Sequence, residues 1–542
     1  MIMKKTLFIV GVALSFLLSC ATLSPADTVS EYVNKMTLRE KVGQLMMVGI
    51  QGQRNDAKDT AHIKKINPGG IIFYGRNLKD AGDIPQLIVG IESLLSKSTF
   101  PMFFAVDQEG GLVHRVEGEM YRPPSAPAIG AANSEALSRE VGQSVGGSLR
   151  ALGINVNLAP VLDVPANIIS SPMLMRSFSN NHETVSRLGT AYILGLKDAG
   201  ILATAKHFPG IGRAQGDSHV GLPRITWERQ DDREKDMLPF RKAITAGVDI
   251  VMVGHFVAEP GDSKYPVSLS LYWMEQVLRK DMGFDGLIIV DNIEMKGIRD
   301  IMPIAEAAVK SFQSGADMIM VSHEKRNQEV VFNALLDAVT TGKVSHERLN
   351  VSMKRIMGAK MRIMSSSSAR ISDRTLKDIS KSIAEASITY LSTKESHPLI
   401  MKKGASVLYM GYNSILFSTL KDFFGHAEIL NTTLENYRKV NPEIPVNKFM
   451  KKFDAVIMDA DYTDALEIIS TCVNLNKEYV VILTLPGRFQ KTIDRLSPGR
   501  IVLTFENTKI HLNMALEIIS GIRKAKGKLP YNLTLPESYV NN

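Results

Sequence analysis

Two short stretches of this sequence concentrate side chains able to move protons or attack carbon. The first runs Lys206-His207-Phe208-Pro209-Gly210 and continues to Asp217-Ser218-His219. Asp217 and His219 stand two apart, so an Asx-like turn brings a carboxylate beside an imidazole. Such a neighbour fixes the ring's tautomer and raises its basicity, which suits general acid–base work. Taken alone, an Asp-x-His in a loop is weak evidence, and a solvated or structural histidine is the favoured reading. The second stretch is Ile288-Ile289-Val290-Asp291-Asn292-Ile293-Glu294-Met295. Its apolar run ends on a carboxylate, so Asp291 is held at the end of a rigid element. There it can serve as base, metal ligand or nucleophile, or else cap the segment that follows.

These side chains need elements to position them. Between about residue 40 and residue 325, apolar runs alternate with amphipathic helical stretches. The runs are Val42–Ile50, Gly70–Tyr74, Met102–Asp107, Val156–Val164, Leu202–His207, Ile250–His255, Leu287–Asp291 and Met318–Ser322. They are rich in Val, Ile and Met, as parallel strands buried on both faces are. Helical patterns such as Ser134–Leu152, Glu183–Ala199, Asp236–Ala246 and Leu271–Asp281 lie between them. Eight such units predict an α/β fold of the (β/α)8 TIM-barrel type. Barrels of this kind work at the C-terminal ends of their strands. Polar residues gather at those ends here: Asp107-Gln108-Glu109, Asp163, Lys206-His207, His255 and Asp291-Asn292.

Past Ser365 the pattern changes. A serine run, Ser365–Ser368, precedes a connecting helix at Asp373–Ala386. Strand-like runs follow at Ala405–Met410, Ala455–Met458, Val480–Thr484 and Ile501–Phe505. The division expected is a barrel over 28–365, a linker over 366–388 and a smaller α/β sandwich domain over 389–542. Gly411-Tyr412-Asn413 supplies no dinucleotide glycine fingerprint after the first of these strands, which leaves the domain a structural or accessory role.

The N-terminus reads as an export signal over 1–19. Lys4 and Lys5 precede an apolar run from Leu7 to Leu18, which is shorter than the roughly 20 residues a membrane span requires. Leu17-Leu18-Ser19-Cys20 resembles a bacterial lipobox, with Cys20 as the acylated first residue; ordinary cleavage nearby is the plainer alternative. The expected location is outside the cytoplasm, anchored to a membrane by lipid. The remaining cysteine, Cys472, then has no partner for an intramolecular disulfide. No cluster has zinc-like spacing, and neither metal nor cofactor is required. The net charge is +8, but basic runs such as Arg523–Lys528 lack interleaved aromatics, which argues against nucleic acid as a partner.

The chain also resembles the bacterial β-N-acetylglucosaminidases of glycoside hydrolase family 3. The resemblance rests on MTLREKVGQLMMVG, GGIIFYGRN, VDQEGGLVHR, NLAPVLDV, RSF, KHFPG, GDSHVGLP and VDNIEM, in family order over about residues 30 to 325. It implies Asp291 as the nucleophile of a covalent glycosyl-enzyme. It further implies His219 as proton donor, with Asp217 as its dyad partner. By the same match Asp107, Arg115, Arg176, Lys206 and His207 hold N-acetylglucosamine in the −1 subsite. Without the motifs, Arg115 or Arg176 would read as ion-pair partners of Asp107 or Asp163 across the barrel mouth. The sequence departs from the family at Ile211, where histidine is usual, and at Leu112, where arginine is usual. The activity implied is exo-acting, retaining hydrolysis of β-N-acetylglucosaminides from wall-derived muropeptides. A phosphorylase, another β-glycosidase and a non-catalytic sugar-binding lipoprotein are the competing readings.

Overall fold

The computed structural model describes residues 25–52, 57–95, 100–117, 122–168, 171–214, 221–365, 374–393, 399, 404–425, 427–459, 465–484, 500–532 and 539–541. Cys20, Asp217 and His219 lie outside the described residues.

The first ten strands are β1 Met46–Gly49, β2 Gly70–Phe73, β3 Phe103–Val106, β4 Val156–Asn157, β5 Leu202–Phe208, β6 Arg224–Thr226, β7 Ile250–Val253, β8 Val257–Glu259, β9 Leu287–Val290 and β10 Met318–Val321. Eight of them close a barrel in the order β1-β10-β9-β7-β5-β4-β3-β2. Neighbouring strands run parallel all the way round. β6 and β8 form a separate two-stranded ribbon. Each apolar run read from the sequence supplies one barrel strand, because strands covered by helices outside and packed side chains inside can be apolar throughout.

Two runs are cut short. Val42–Ile50 contains only β1, because Leu38–Gln44 is helical. Thr37 and Glu40 form a capping box that satisfies the first-turn amides of that helix. In Val156–Val164 the ladder stops at Asn157; Pro160 has no N–H to donate, and Val161 makes only an isolated bridge to Lys206.

A seven-stranded sheet forms the second domain. Its strands are β11 Thr389–Thr393, β12 Ser406–Met410, β13 Glu428–Thr432, β14 Ala455–Asp459, β15 Glu478–Leu483, β16 Arg500–Leu503 and β17 Tyr539–Asn541. Their order is β13-β12-β14-β15-β16-β11-β17, parallel from β13 to β16 and antiparallel at β11 and β17. The four runs read from the sequence are β12, β14, β15 and β16. β13 has no comparable apolar run, because it is a half-exposed edge strand with a polar sequence.

The helix Leu376–Ser387 occupies most of the stretch read as linker. It is a packed element that buries Leu376, Ile379, Ile383 and Ala384. It lies against the barrel helices Ala126–Ala132 and Glu135–Ala151 and against Lys509–Ile519 of the second domain.

Candidate active site

A cavity of about 210 Å³ opens among the C-terminal ends of the barrel strands. One wall is a cluster of charges. Lys206 Nζ lies 2.7 Å from Asp107 Oδ1 and 2.6 Å from Glu109 Oε1. Arg176 grips Glu109 with two parallel bonds, Nε to Oε2 at 2.8 Å and Nη2 to Oε1 at 2.7 Å. Burial opposes all of these charges. Even so, Arg176 and Lys206 hold the Glu109 carboxyl far below the usual carboxylate range. Asp107 and Glu109 in turn keep the Lys206 ammonium above its ordinary value. A buried set of this kind adds little net stability over an apolar core, since desolvation offsets the attraction. Its place in a cavity wall fits recognition of hydroxyl-rich ligands better.

Arg115 stands apart from this network. Its Nε is buried and has no hydrogen-bond partner among the described residues. Gln108 positions it from behind: Gln108 Oε1 accepts from Arg115 N at 2.8 Å and Val116 N at 3.1 Å. Gln108 is itself tied to Asn157 by two amide–backbone bonds of 3.1 Å.

Lys206 and His207 both line the cavity although they are consecutive. In a regular strand they would face opposite ways. Here the ladder slips, with Lys206 opposite Met252 and Phe208 opposite Val253, so His207 is an extra residue. A bulge of this type re-aims one side chain. Asp163, wholly buried, then fixes His207: Oδ2 accepts from Nδ1–H, 2.7 Å away. The Asp163 carboxylate also accepts from His207 N at 3.3 Å and Ile211 N at 2.8 Å. Since Asp163 holds Nδ1–H, Nε2 is the nitrogen left for a ligand.

Asp291 follows β9 directly. Its Oδ1 accepts from Asn292 N at 2.7 Å. The next helix, Lys296–Arg299, has Met295 at its N-cap position, so Asp291 is not a helix cap. Burial pushes the Asp291 carboxyl up, but His255, His207, the Asn292 N–H and Lys206 outweigh it and hold the group below its ordinary value. His255 is buried between Ser268 Oγ, 2.7 Å from Nδ1, and the Asn292 carbonyl, 3.1 Å from Nε2. Burial lowers its pKa, and Nε2–H donating to the Asn292 carbonyl with Nδ1 facing the Ser268 hydroxyl accounts for both contacts. Glu294 ties this segment to the end of β10, accepting from the amides of Ser322 at 2.9 Å, His323 at 2.6 Å and Glu324 at 3.0 Å.

Asp291, Asp107, Arg115, Arg176, Lys206 and His207 therefore all line one cavity. The partners of the cations differ from the pairing with Asp107 or Asp163 weighed above. Arg176 chooses Glu109, and Asp163 is taken by His207. Glu109, Asp163, His255, Tyr74 and His323 join the site beyond the residues that the motifs mark. The first three were visible as polar strand ends. Tyr74 and His323 form a tilted aromatic pair, 5.2 Å between centroids, for which no signal existed beyond strand-end position. Of the two departures, Ile211 is buried in the cavity wall, whereas Leu112 is 59% exposed.

Residues 37–359 match the family model described as the glycosyl hydrolase family 3 N terminal domain. Beta-hexosaminidase A of Pseudoalteromonas piscicida is 32% identical over 376 residues, covering 64% of this chain. The match spans 63% of that protein, less than two thirds of its length. A beta-hexosaminidase of Tolumonas auensis is 32% identical over 295 residues, 54% of this chain and 86% of that one. Among solved structures, a glycoside hydrolase family 3 beta-N-acetylglucosaminidase from Paenibacillus sp. str. FPU-7 superposes with a TM-score of 0.82 at 28% identity. That superposition covers 92% of this chain and all of the other.

Proposed function

The chain belongs to glycosyl hydrolase family 3, and on that premise we propose that it is a retaining, exo-acting β-N-acetylglucosaminidase. The observation that carries the proposal is the placement of Asp291. It is an ionised carboxylate on a strand end, in the same cavity as a wall of Asp107, Glu109, Lys206 and Arg176. Hydroxyl and acetamido groups need convergent donors and acceptors, and that wall supplies both. The cavity falls below the roughly 300–1,000 Å³ of drug-sized pockets, which favours one terminal sugar ring over a long oligosaccharide.

In the proposed reaction an Asp291 oxygen attacks the anomeric carbon as the glycosidic C–O bond breaks. The departing oxygen takes its proton from His219, whose partner is Asp217. Water then attacks the glycosyl-enzyme, returns a proton to His219, and releases the sugar with its β configuration restored. The cluster and His207 Nε2 bind the ring hydroxyls throughout. Names of the similar proteins support N-acetylhexosamine as the −1 sugar. Wall-derived muropeptides as substrates, and a lipid anchor at Cys20 outside the cytoplasm, belong to the same proposal. No helix among the described residues is long and apolar enough to cross a membrane.

Hydrolysis of a chromogenic β-N-acetylglucosaminide, with and without phosphate, tests this reading. Free N-acetylglucosamine is the expected product at a phosphate-independent rate. A sugar 1-phosphate formed at a strongly phosphate-dependent rate would make the protein a phosphorylase instead. Asp291→Ala should abolish turnover while sugar binding stays measurable; undiminished turnover would remove Asp291 from the mechanism.

A further inference from the structure

We infer that the second domain is part of the sugar site. It braces the two barrel loops that carry Glu109 and Arg176, with Glu506 and Tyr531 as positioning residues. The inference rests on the site reading above.

The bidentate pair between Glu109 and Arg176 joins residues 67 apart in sequence, on separate loops. Both of its bonds hold only if the two loops are fixed to within a few tenths of an ångström. The barrel provides half of that fixing. Glu109 N and Gly110 N donate to Val113 O at 2.9 and 3.0 Å, and Gly111 N donates to Pro123 O at 3.3 Å. The returning limb ends at Ser125, and there the second domain takes over. The Glu506 carboxylate, 4% exposed, accepts the Ser125 N–H, and Ser125 Oγ donates to Phe505 O at 3.0 Å. A Cβ added at Gly111 would lie 2.7 Å from Ser125 Cβ, so the turn beside Glu109 rests directly on the braced residue. Phe505 adopts φ +56°, a left-handed conformation costly for a bulky side chain and retained where surrounding structure enforces it.

The Arg176 loop is held from its other side. Tyr531, 2% exposed, donates through its hydroxyl to Leu174 O at 2.6 Å, with Ser177 O 3.2 Å away. Those two carbonyls flank Arg176. Ser179 Oγ donates to Pro530 O, and Asn532 N donates to Asn180 Oδ1 at 3.0 Å. Thus the second domain meets the Arg176 loop at carbonyls on either side of Arg176, and the Glu109 loop through Ser125, on which the Gly111 turn rests. Simple docking of two domains requires only apolar faces on the outside of helices.

The full-length chain carrying Tyr531→Phe or Glu506→Leu, each of which removes the bracing group while keeping most of the side chain's volume, tests the inference. The readouts are kcat/KM on the chromogenic glycoside, binding of free N-acetylglucosamine, and thermal unfolding. Each variant should weaken binding of N-acetylglucosamine roughly threefold to tenfold, the range of one net hydrogen bond. kcat/KM should fall at least as far. In an Arg176→Lys background, where the two-pronged pair is already lost, Tyr531→Phe should cost only about twofold or less. A structural role alone would lower the unfolding temperature and leave sugar binding untouched. That result, or a Tyr531→Phe loss of equal size in both backgrounds, would overturn the brace. Should Tyr531→Phe fail to fold, Glu506→Leu decides the matter by the same readouts. A wild-type protein inert towards the glycoside, or Arg176→Lys binding the sugar as well as wild type, would overturn the site reading and the brace together. Active wild type and weakened Arg176→Lys beside unaffected Tyr531→Phe and Glu506→Leu would overturn the brace alone.

Discussion

Glu109 stands at the centre of the cavity's electrostatics, since both Lys206 and Arg176 spend hydrogen bonds on it. Its pKa is depressed in the folded state, so its contribution to stability is complete above the unfolded value of about 4.3. The contribution is lost as pH falls towards the folded value. Glu109→Gln leaves two buried cations short of a counter-charge, a change that typically costs about 3–5 kcal/mol. The expected outcome is a large drop in the denaturant midpoint at pH 7 that narrows on acidification, as wild type loses the same charge. A difference independent of pH would show that Glu109 acts by shape alone. Much of this scale was legible in advance. Asp291, Lys206 and His207 announced themselves as polar residues ending apolar strands. Glu109 had the same signature, but nothing local marks which of two nearby carboxylates an arginine some 67 residues away will grip.

At the scale of elements the decisive feature is the bulge in β5. It turns His207 into the cavity beside Lys206, and its neighbour Gly254 makes room for it. A Cβ at Gly254 would meet Phe256 Cε1 at 2.8 Å and His207 Cβ at 3.1 Å. Gly254→Ala should therefore displace His207, and displacements near 1 Å at a reacting centre can cost about a hundredfold in rate. We expect kcat/KM to fall between roughly tenfold and a hundredfold, with only a modest loss in unfolding temperature. Gly358 is the internal control. It sits within the helix His346–Ser365, and a Cβ there meets nothing within 4 Å. Gly358→Ala should raise stability by about 0.5–1 kcal/mol and leave kinetics unchanged. Equal kinetic losses in both variants would refute the role given to the bulge. Period-two alternation cannot reveal a bulge, because an inserted residue is visible only against the strand it pairs with.

For the whole molecule, the two ends of the barrel divide the labour. The end away from the cavity holds Lys360, 2% exposed, with Nζ 2.7 Å from Gln44 Oε1 and 5.2 Å from the Phe103 ring centroid. Burial lowers its pKa to about 7. The unfolded chain binds this proton up to about pH 10.4, so folding is penalised below pH 7 and the penalty fades between pH 7 and about 10.4. Lys360→Met should consequently raise the unfolding temperature more at pH 6 than at pH 10, offset at both by the lost bond to Gln44. The same shift at both values would mean that burial leaves the pKa of this lysine where it is in the unfolded chain. Catalysis should be unaffected, because Lys360 is remote from the cavity.

Local sequence by itself determined the alternation of apolar strands and amphipathic helices, hence the barrel. It also determined that Asp291, Asp107, Lys206 and His207 end strands on one side of it. Those properties follow from hydrophobic periodicity, which is read within about ten neighbouring residues. Tertiary structure alone decided the partners: Arg176 with Glu109, His207 with Asp163, and the end of β16 with Ser125. Closing the barrel and folding the second domain against it bring together groups tens to hundreds of residues apart. Which of several equally suitable charges then meet is fixed by backbone geometry accumulated over whole elements, for which no short stretch of sequence carries a signal.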